Sequence, residues 1–475
     1  MTTGSYWIDR AVIGGEVHAS VRIEHRAGNI DRILAGASAR PEDVVLHGTA
    51  LPGFANAHSH AFHRALRGRT HADGGTFWHW RNTMYRVAGL LDPDSYRQLA
   101  TAVFAEMALA GISVVGEFHY LHHQALGLKY GHAAALDQAV VDAAAVTGIR
   151  LTLLDTLYLR GGLSALGSPL PLTGPQQRFT DNTVSGWIAR HQQIQYGPLA
   201  RPGAAIHSAR AVDPAQFAAF RDAAGDVPIH AHVSEQPAEN EQVLAAYGAT
   251  PIELFHRAGL LGPRFTAVHA THLSEADIRL LGETGSFACF CPTTERDLAD
   301  GIGPAMELYE AGAHLCLGSD QHVMIDPFEE LRGLEMHERL ATGQRGRFTP
   351  NQLLTAATKA GYDSLGWSNG GVLQPSALCD FVVIGDGSPR TAGSATNQVW
   401  LAATAADVRH LVVSGQHIVK DGAHRLGDVG SMLSDAIALI DEADAQIRAQ
   451  ALEGLDLPEP LPGEAADQAE SEDAA

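Results

Sequence analysis

Eight short apolar runs alternate with amphipathic stretches through the middle of this 475-residue chain. The runs span residues 51–56, 112–118, 150–157, 204–207, 227–232, 265–270, 286–291 and 314–318. In the intervening stretches, such as residues 95–110 and 135–148, apolar side chains recur at helical spacing. Strands that are separated by helices pair in parallel. Eight such units therefore predict an α/β fold, a (β/α)8 barrel of the TIM type.

Both ends of the chain show a different pattern, with short alternating segments separated by turns. We expect residues 1–50 and 373–430 to complete one small β-sandwich domain beside a barrel formed by residues 51–372. A C-terminal helix is predicted over residues 431–457. Residues 458–475 are mostly proline, alanine and acidic residues, which predicts a disordered tail.

Charge and composition exclude several classes of partner. The chain has 33 basic and 54 acidic residues, a net charge of −21 that repels nucleic acid and anionic membranes. No run of 18 apolar residues and no secretory signal pattern is present. The four cysteines are too few to cross-link a chain of this length. We therefore expect a cytoplasmic protein that binds neither nucleic acid nor membranes.

Polar side chains at the carboxyl ends of the predicted strands indicate a metal centre. His58 and His60 lie two residues apart at the first strand, so alternation places both imidazoles on one face. His232 ends the fifth strand with Glu235 three residues later, and Asp320 follows the eighth strand. Active sites of (β/α)8 barrels lie at this end. Three imidazoles and one carboxylate, with water completing the shell, are a ligand set that zinc prefers.

The order of these residues along the strands, with His269 at the end of the sixth, resembles the amidohydrolase superfamily. A narrower resemblance, to the formimidoylglutamate deiminase family, is carried by five further segments. These are FWHWRNTMYR (77–86), GEFHYLHH (116–123), HSARAV (207–212), VHATH (268–272) and TTERDLADGIGPA (293–305). That resemblance implies hydrolysis of N-formimino-L-glutamate to N-formyl-L-glutamate and ammonia in histidine degradation.

The resemblance also implies a single divalent metal ion, with zinc favoured by ligand type and iron and manganese as alternatives. Its ligands would be His58, His60, His232 and Asp320. Many members of the superfamily bridge two ions with a carboxylated lysine on the fourth strand. The lysines of this chain are Lys129, Lys359 and Lys420, none of which lies there. We expect His119, His122 and His123 to form hydrogen bonds behind the site rather than to bind metal.

Three residues are expected to move or hold protons. Asp320, a ligand close to the attacking water, is suited to accept its proton. Glu235 can pass a proton to the departing nitrogen, which leaves as ammonia only when it is protonated. His269 can donate a hydrogen bond that holds the water or the tetrahedral intermediate.

A second set of residues is expected to bind a substrate that carries two carboxylates. Arg81 and Arg210 could each bind one carboxylate in bidentate fashion. Tyr120 and His207 are neighbouring hydrogen-bond donors. His63, which stands where the family more often has glutamine, is expected to touch the substrate. The assembly is expected to be a homodimer.

Two other functions remain open at this point. A deaminase of the same fold could act on a purine, pyrimidine or triazine ring, which would require contacts to base edges and stacking in place of paired arginines. A non-catalytic relative could serve as a binding or scaffold protein, but such proteins usually lack ligands, and this chain has the full set.

Overall fold

A computed structural model describes residues 3–71 and 77–453, and in it the eight apolar runs form one parallel sheet. Barrel strands 1 to 8, in chain order, are Phe54–Ser59, Ile112–His119, Arg150–Leu157, Ala200–Ile206, Ile229–Val233, Phe265–His269, Phe287–Phe290 and His314–Leu317. Each strand pairs with its neighbour in sequence. A parallel bridge between Ser59 and Asp320 joins the two edges. The predicted (β/α)8 barrel is confirmed.

The first predicted run, residues 51–56, divides between two sheets. Leu51 and Pro52 end a strand of the other sheet, and barrel strand 1 begins only at Phe54. Between them, the Gly53 amide donates a hydrogen bond to the Asp380 carbonyl (3.1 Å). A Cβ atom at Gly53 would collide with the side chain of Ser113. Pro52 and the close backbone approach at Gly53 therefore mark the boundary between the two strands, which the apolar pattern alone does not show.

Helices connect the barrel strands, and local sequence explains where they begin. In the helix Pro93–Leu109, the Asp92 carboxylate accepts a hydrogen bond from the Ser95 amide (2.8 Å), and proline occupies the first turn. Leu99 and Val103, four residues apart, are fully buried.

The α-helices within the described residues are Phe77–Leu90, Pro93–Leu109, Ala135–Thr147, Val184–His191, Phe217–Ala224, Pro237–Tyr247, Pro251–Arg257, Glu275–Glu283, Pro292–Asp297, Ala305–Ala311, Pro327–Thr342, Pro350–Ala357, Lys359–Ser364 and Val429–Glu453. Shorter 3-10 helices are Ala61–Leu66, Ala125–Gly127, Gly174–Phe179, Pro214–Gln216, Thr396–Leu401 and Ala405–Asp407. Two short strands, Gly162–Leu163 and Pro169–Leu170, form a hairpin. No described helix combines the length and apolar character that crossing a bilayer requires.

The two ends of the chain form a separate, mostly antiparallel sheet of eight strands. Its strands are Thr3–Ile13, Glu16–Arg26, Asn29–Leu34, Val44–Pro52, Phe381–Ile384, Val408–Val413, Gln416–Lys420 and Ala423–His424. The sheet has its own core, which includes Ile8, Val21, Phe381 and Val412. A helix follows at Val429–Glu453. The predicted tail at 458–475 and the last four residues of the predicted helix lie outside the described residues.

A buried ion pair joins the barrel to the end sheet. The guanidinium of Arg150, at the start of barrel strand 3, donates two hydrogen bonds to the Asp380 carboxylate (2.6 and 3.0 Å). The same carboxylate accepts from the Tyr362 hydroxyl (2.8 Å) and the Ser414 amide (2.7 Å). Every oxygen of this buried anion is therefore satisfied, and the pair depends on both partners.

Replacing Asp380 by asparagine should lower the free energy of unfolding by about 3 to 5 kcal/mol, because it leaves Arg150 buried without a counter-charge. Denaturant-induced unfolding of the metal-loaded protein measures this. Asp94→Asn is the matched control, since the Asp94 side chain is 88% exposed and its ion pair contributes at most about 1 kcal/mol. Equal stability of the two variants would contradict the role assigned to the buried pair.

Candidate active site

Barrel closure places the residues of strand 1 against those that follow strand 8. The His58 carbonyl accepts hydrogen bonds from the amides of Ser319 (3.1 Å) and Asp320 (3.0 Å). The His60 amide donates to the Asp320 carbonyl (3.1 Å). Two segments that are about 260 residues apart in sequence are thereby held in fixed register. The Asp320 side chain consequently lies beside both imidazoles.

The four predicted metal ligands converge at this point. Asp320 Oδ1 lies 3.3 Å from Nε2 of His58 and 3.3 Å from Nε2 of His60. Nε2 of His232 lies 3.2 Å from Nε2 of His58. Two ligand atoms held about 2.1 Å from one tetrahedral zinc ion are about 3.4 Å apart. These three spacings suit neighbouring ligands of one ion, and the ligand atoms of His58, His60 and His232 all lie within 4.8 Å of one another. Asp320 forms a second such group with His58 and His269.

Hydrogen bonds from the far side of two rings fix which nitrogen faces the cluster. His60 Nδ1 donates to the Phe118 carbonyl (2.8 Å), and His232 Nδ1 donates to the His207 carbonyl (2.9 Å). Both rings thus present Nε2 toward Asp320 and His58. Burial, together with neighbouring imidazoles, lowers the pKa of His58 and of His232 well below the ordinary value. These rings are neutral at pH 7, which is the form that binds a metal ion.

His269 has the opposite electrostatic environment. Burial lowers its pKa, but the carboxylates of Glu235, Glu295 and Asp320 outweigh that effect and raise the pKa to about 10. Its Nε2 lies 3.9 Å from Glu235 and 3.9 Å from Asp320, and its Nδ1 lies 3.6 Å from Glu295. At neutral pH the ring is an imidazolium that can donate hydrogen bonds from both nitrogens.

The backbone is strained at two of these positions. His269 has a φ of 68° and Asp320 a φ of 41°, in the left-handed region that residues other than glycine rarely adopt. Such conformations persist only where the surrounding structure enforces them, and they cluster at active sites. Here both occur where a barrel strand ends and its side chain turns toward the cluster.

A cavity of about 530 Å³ opens above the cluster and contains nearly all the predicted site residues. The predicted residues in its wall are His60, His63, Arg81, Tyr120, His207, Arg210, His232, Glu235, His269 and Asp320. His58 is fully buried and lies beneath this wall. A volume of this size suits a small organic substrate. The structure therefore brings the predicted metal, catalytic and substrate-binding residues into one site.

The predicted substrate-binding residues differ in how they are held. Nε2 of His63 lies 2.9 Å from the Tyr120 hydroxyl, and both side chains are buried. Arg81 is on the helix Phe77–Leu90, with its guanidinium carbon 5.7 Å from the centre of the Tyr85 ring. Arg210 lies in the loop after barrel strand 4. The two predicted arginines therefore enter the cavity from separate segments.

Sequence reasoning missed two buried carboxylates behind the cluster. Glu295 accepts a hydrogen bond from the Cys291 amide (2.7 Å) and faces His269. Glu117 accepts hydrogen bonds from the Ser59 hydroxyl (2.6 Å) and from the backbone amide of Ala61 (2.5 Å). Burial raises the pKa of Glu117 to about 8 despite these bonds. A charge inside the apolar run ISVVGEFH (112–119) was the available signal for Glu117.

A second histidine group lies behind the barrel wall. Nε2 of His119 and Nδ1 of His122 lie 3.6 and 3.5 Å from Asp137 Oδ1. Arg190 already donates a hydrogen bond to that oxygen (2.6 Å), and His122 Nε2 donates to the Thr156 carbonyl (3.0 Å). A guanidinium therefore supplies the positive charge that Asp137 requires. His119, His122 and Asp137 also form one of the groups whose ligand atoms lie close enough to hold a metal ion. That these histidines form hydrogen bonds rather than bind metal stays a prediction.

Comparisons with known proteins identify the family of this chain. The model of the Amidohydrolase family matches residues 49–418. Formimidoylglutamate deiminase of Pseudomonas aeruginosa is 35% identical over 391 residues, which cover 78% of this chain and 84% of that protein. The 8-oxoguanine deaminase of the same species is 30% identical over 376 residues, covering 77% of this chain and 80% of that protein.

A solved structure shows the same architecture over almost the whole chain. The crystal structure of an amidohydrolase from Brucella melitensis superposes with a TM-score of 0.84 at 29% identity, covering 94% of this chain and all of that one. The family model extends over the barrel and part of the end sheet. This chain therefore belongs to the amidohydrolase family, as an amidohydrolase-type deaminase.

Proposed function

We propose that this protein is a formimidoylglutamate deiminase, which hydrolyses N-formimino-L-glutamate to N-formyl-L-glutamate and ammonia in histidine degradation. The observation that carries the proposal is the presence of Arg81 and Arg210 in one cavity with the metal-ligand cluster. The substrate has two carboxylates and a formimino carbon, which match two guanidinium groups and a hydrolytic centre. The similarity to the Pseudomonas aeruginosa deiminase supports the same substrate.

The donor set fits one divalent metal ion, with zinc preferred. Three neutral imidazoles and a carboxylate are ligands that zinc binds in tetrahedral sites. Barrel strand 4, Ala200–Ile206, contains no lysine that could bridge a second ion. When bound here, the ion lowers the pKa of a water molecule from about 15.7 to near 7 and supplies a nucleophile at neutral pH.

The protein side chains provide the proton transfers that the reaction requires. In this proposal the carboxylate of Asp320, 3.3 Å from Nε2 of His58 and of His60, accepts the proton of the attacking water. Glu235 lines the same cavity and can deliver a proton to the departing nitrogen. The imidazolium of His269, 3.9 Å from both carboxylates, donates a hydrogen bond to the oxygen that develops negative charge.

The remaining cavity residues orient the substrate. In this proposal Arg81 and Arg210 each bind one carboxylate, while Tyr120 and His207 hydrogen-bond the formimino group or the nearer carboxylate. His63 holds the Tyr120 hydroxyl at 2.9 Å and completes that wall. Burial, and next the nearby Arg210, lower the pKa of His207 well below the ordinary value, so its ring is neutral.

A second candidate is deamination of a heterocyclic ring. The observation that favours it is the 30% identity to an 8-oxoguanine deaminase over 77% of this chain. A neutral ring would gain little from two guanidinium groups, since it has no carboxylate to bind. An ammonia-release assay that compares N-formimino-L-glutamate with guanine and 8-oxoguanine decides between the two functions. Faster turnover of a ring substrate would overturn the first proposal.

Elemental analysis of protein purified without added metal should give one divalent ion per chain, with zinc predominating. The ligand atoms fit a single ion, and no lysine lies where a bridge would form. His232→Ala should lose most of the metal, whereas His132→Ala, an exposed histidine outside the cavity, should retain it. A reproducible two ions per chain in the fully active protein would contradict the prediction.

A further inference from the structure

Glu239 is a buried carboxylate in the cavity wall to which the proposed reaction assigns no part. It lies in the first turn of the helix Pro237–Tyr247 and is 1% exposed. A buried carboxylate without a compensating partner is costly, so its neighbours should explain its presence. The nearest cation is Arg210, which is proposed to bind substrate.

The contacts of Glu239 connect it to two residues of the site. Its Oε1 lies 3.8 Å from Arg210 Nε, and its Oε2 accepts a hydrogen bond from the Glu235 amide (3.3 Å). Arg210 Nε and Glu239 Oε1 are shielded from solvent, and neither forms a hydrogen bond within the described residues, so an ion pair is the contact that joins them. Glu239 therefore faces one edge of the guanidinium and the backbone that carries Glu235.

The backbone of Arg210 is held from the other side by Arg160. Arg160 donates hydrogen bonds to the carbonyls of Arg210 (2.8 Å) and Ala209 (3.0 Å), and to the Tyr247 hydroxyl (2.6 Å). Within the described residues, no protein hydrogen bond involves the two Nη atoms of Arg210. Because Arg160 holds its backbone and its Nε edge faces Glu239, the Nη edge remains for a ligand in the cavity.

We propose that Glu239 is a positioning residue that orients Arg210 for recognition of a substrate carboxylate. The inference rests on the proposed function, because it requires a carboxylate ligand. An arginine side chain has four rotatable bonds, and a fixed Nε edge removes much of the freedom that binding would otherwise have to restrict. Against the effect of burial, Glu239 and Glu235 raise the pKa of Arg210, whereas burial outweighs Arg210 and raises the pKa of Glu239. The ion-pair geometry, not these opposed shifts, carries the proposal.

If Glu239 positions Arg210, its replacement should weaken substrate binding and leave the rate of the chemical step unchanged. Glu239→Gln keeps the shape of the side chain but removes the charge that faces Arg210. In the metal-loaded enzyme it should raise KM for N-formimino-L-glutamate by about 10- to 100-fold, while kcat and the pH profile stay near those of the parent. Glu241→Gln, an exposed glutamate on the same helix, should leave both constants unchanged.

Calorimetric titration with N-formyl-L-glutamate measures the same effect without turnover. Glu239→Gln should weaken binding about 10- to 100-fold in the parent but cause no further loss when Arg210→Met is already present. If the losses of binding free energy in the two single variants simply add in the double variant, the inference is overturned. It is also overturned if the loss in Glu239→Gln comes with a lower thermal midpoint and lower metal content, because that shows a structural role.

If the glutamine variant does not fold, Glu239→Asp serves instead, because it keeps the charge but withdraws it from Arg210. Binding by Glu239→Asp equal to that of the parent would overturn the inference.

The titration also separates failure of this inference from failure of the proposed function. If the parent enzyme does not bind N-formyl-L-glutamate, the proposed substrate is wrong and the inference falls with it. If the parent binds and Arg210→Met weakens binding but Glu239→Gln does not, only the positioning role is wrong.

Discussion

Replacing Glu235 by glutamine should reduce turnover of N-formimino-L-glutamate by about 10²- to 10⁴-fold, with metal content and folding unchanged. The departing nitrogen leaves as ammonia only after it gains a proton, and the amide of glutamine cannot transfer one. Glu235 lies outside the metal-ligand cluster, and its carboxylate approaches His269 at 3.9 Å. The loss should therefore appear in kcat and in kcat/KM together.

Steady-state ammonia release, elemental analysis and thermal unfolding of the Glu235→Gln variant test this expectation. Glu253→Gln, at a partly exposed glutamate on the helix Pro251–Arg257, is the matched control and should behave like the parent. Near-normal turnover by Glu235→Gln would assign the proton transfer elsewhere. His269 would then be the candidate, since its raised pKa of about 10 keeps a proton on the ring at neutral pH.

The barrel, and the convergence of His58, His232 and Asp320 at one of its ends, were predictable because both depend on local patterns that survive in a single sequence. Parallel strands buried on both faces produce continuous apolar runs, and their order in the sheet follows their order in the chain. Since the carboxyl ends of barrel strands share one face, His58, His232 and Asp320 could be placed together from strand number alone. The atomic distances then depend only on the closure of the barrel.

The residues that sequence reasoning missed act through contacts between distant segments. Glu295 reaches His269 from the helix after barrel strand 7, and its sequence neighbours give no sign of that direction. Arg210 was predicted to bind the substrate. Its neighbour Glu239 lies 29 residues later, on a helix whose sequence pattern is that of a solvent-exposed helix. Such pairs become visible only when the fold fixes which side chains face one cavity.

The boundary at residue 51 shows a different limit of sequence reasoning. Leu51 and Phe54 have the same apolar character, yet they belong to different sheets. Hydrophobic periodicity measures burial, and both residues are fully buried. The Pro52–Gly53 pair is the local feature that separates the strands, and proline and glycine mark strand ends more reliably than apolar content does.

N-formimino-L-glutamate should be the preferred substrate, because its two carboxylates match Arg81 and Arg210. Formimino-glycine lacks the side-chain carboxylate and should lose about 30- to 5,000-fold in kcat/KM, since removing one member of a buried charged pair costs about 2 to 5 kcal/mol. Kinetics with the two substrates under the same metal loading measure the ratio. Similar efficiencies would mean that the second carboxylate is not bound.

Removing either arginine from the protein should lower kcat/KM as removing a carboxylate from the substrate does. Arg210→Met or Arg81→Met should weaken turnover of N-formimino-L-glutamate by a comparable factor without changing metal content, because neither side chain is among the proposed ligands. Arg257→Met is the matched control, since its side chain is 59% exposed and lies outside the cavity wall. The penalty for formimino-glycine should also shrink in whichever variant has lost the arginine that binds the side-chain carboxylate. If a neutral ring such as guanine is deaminated faster than N-formimino-L-glutamate, and both cavity variants behave like Arg257→Met, the paired-arginine proposal fails and ring deamination takes its place.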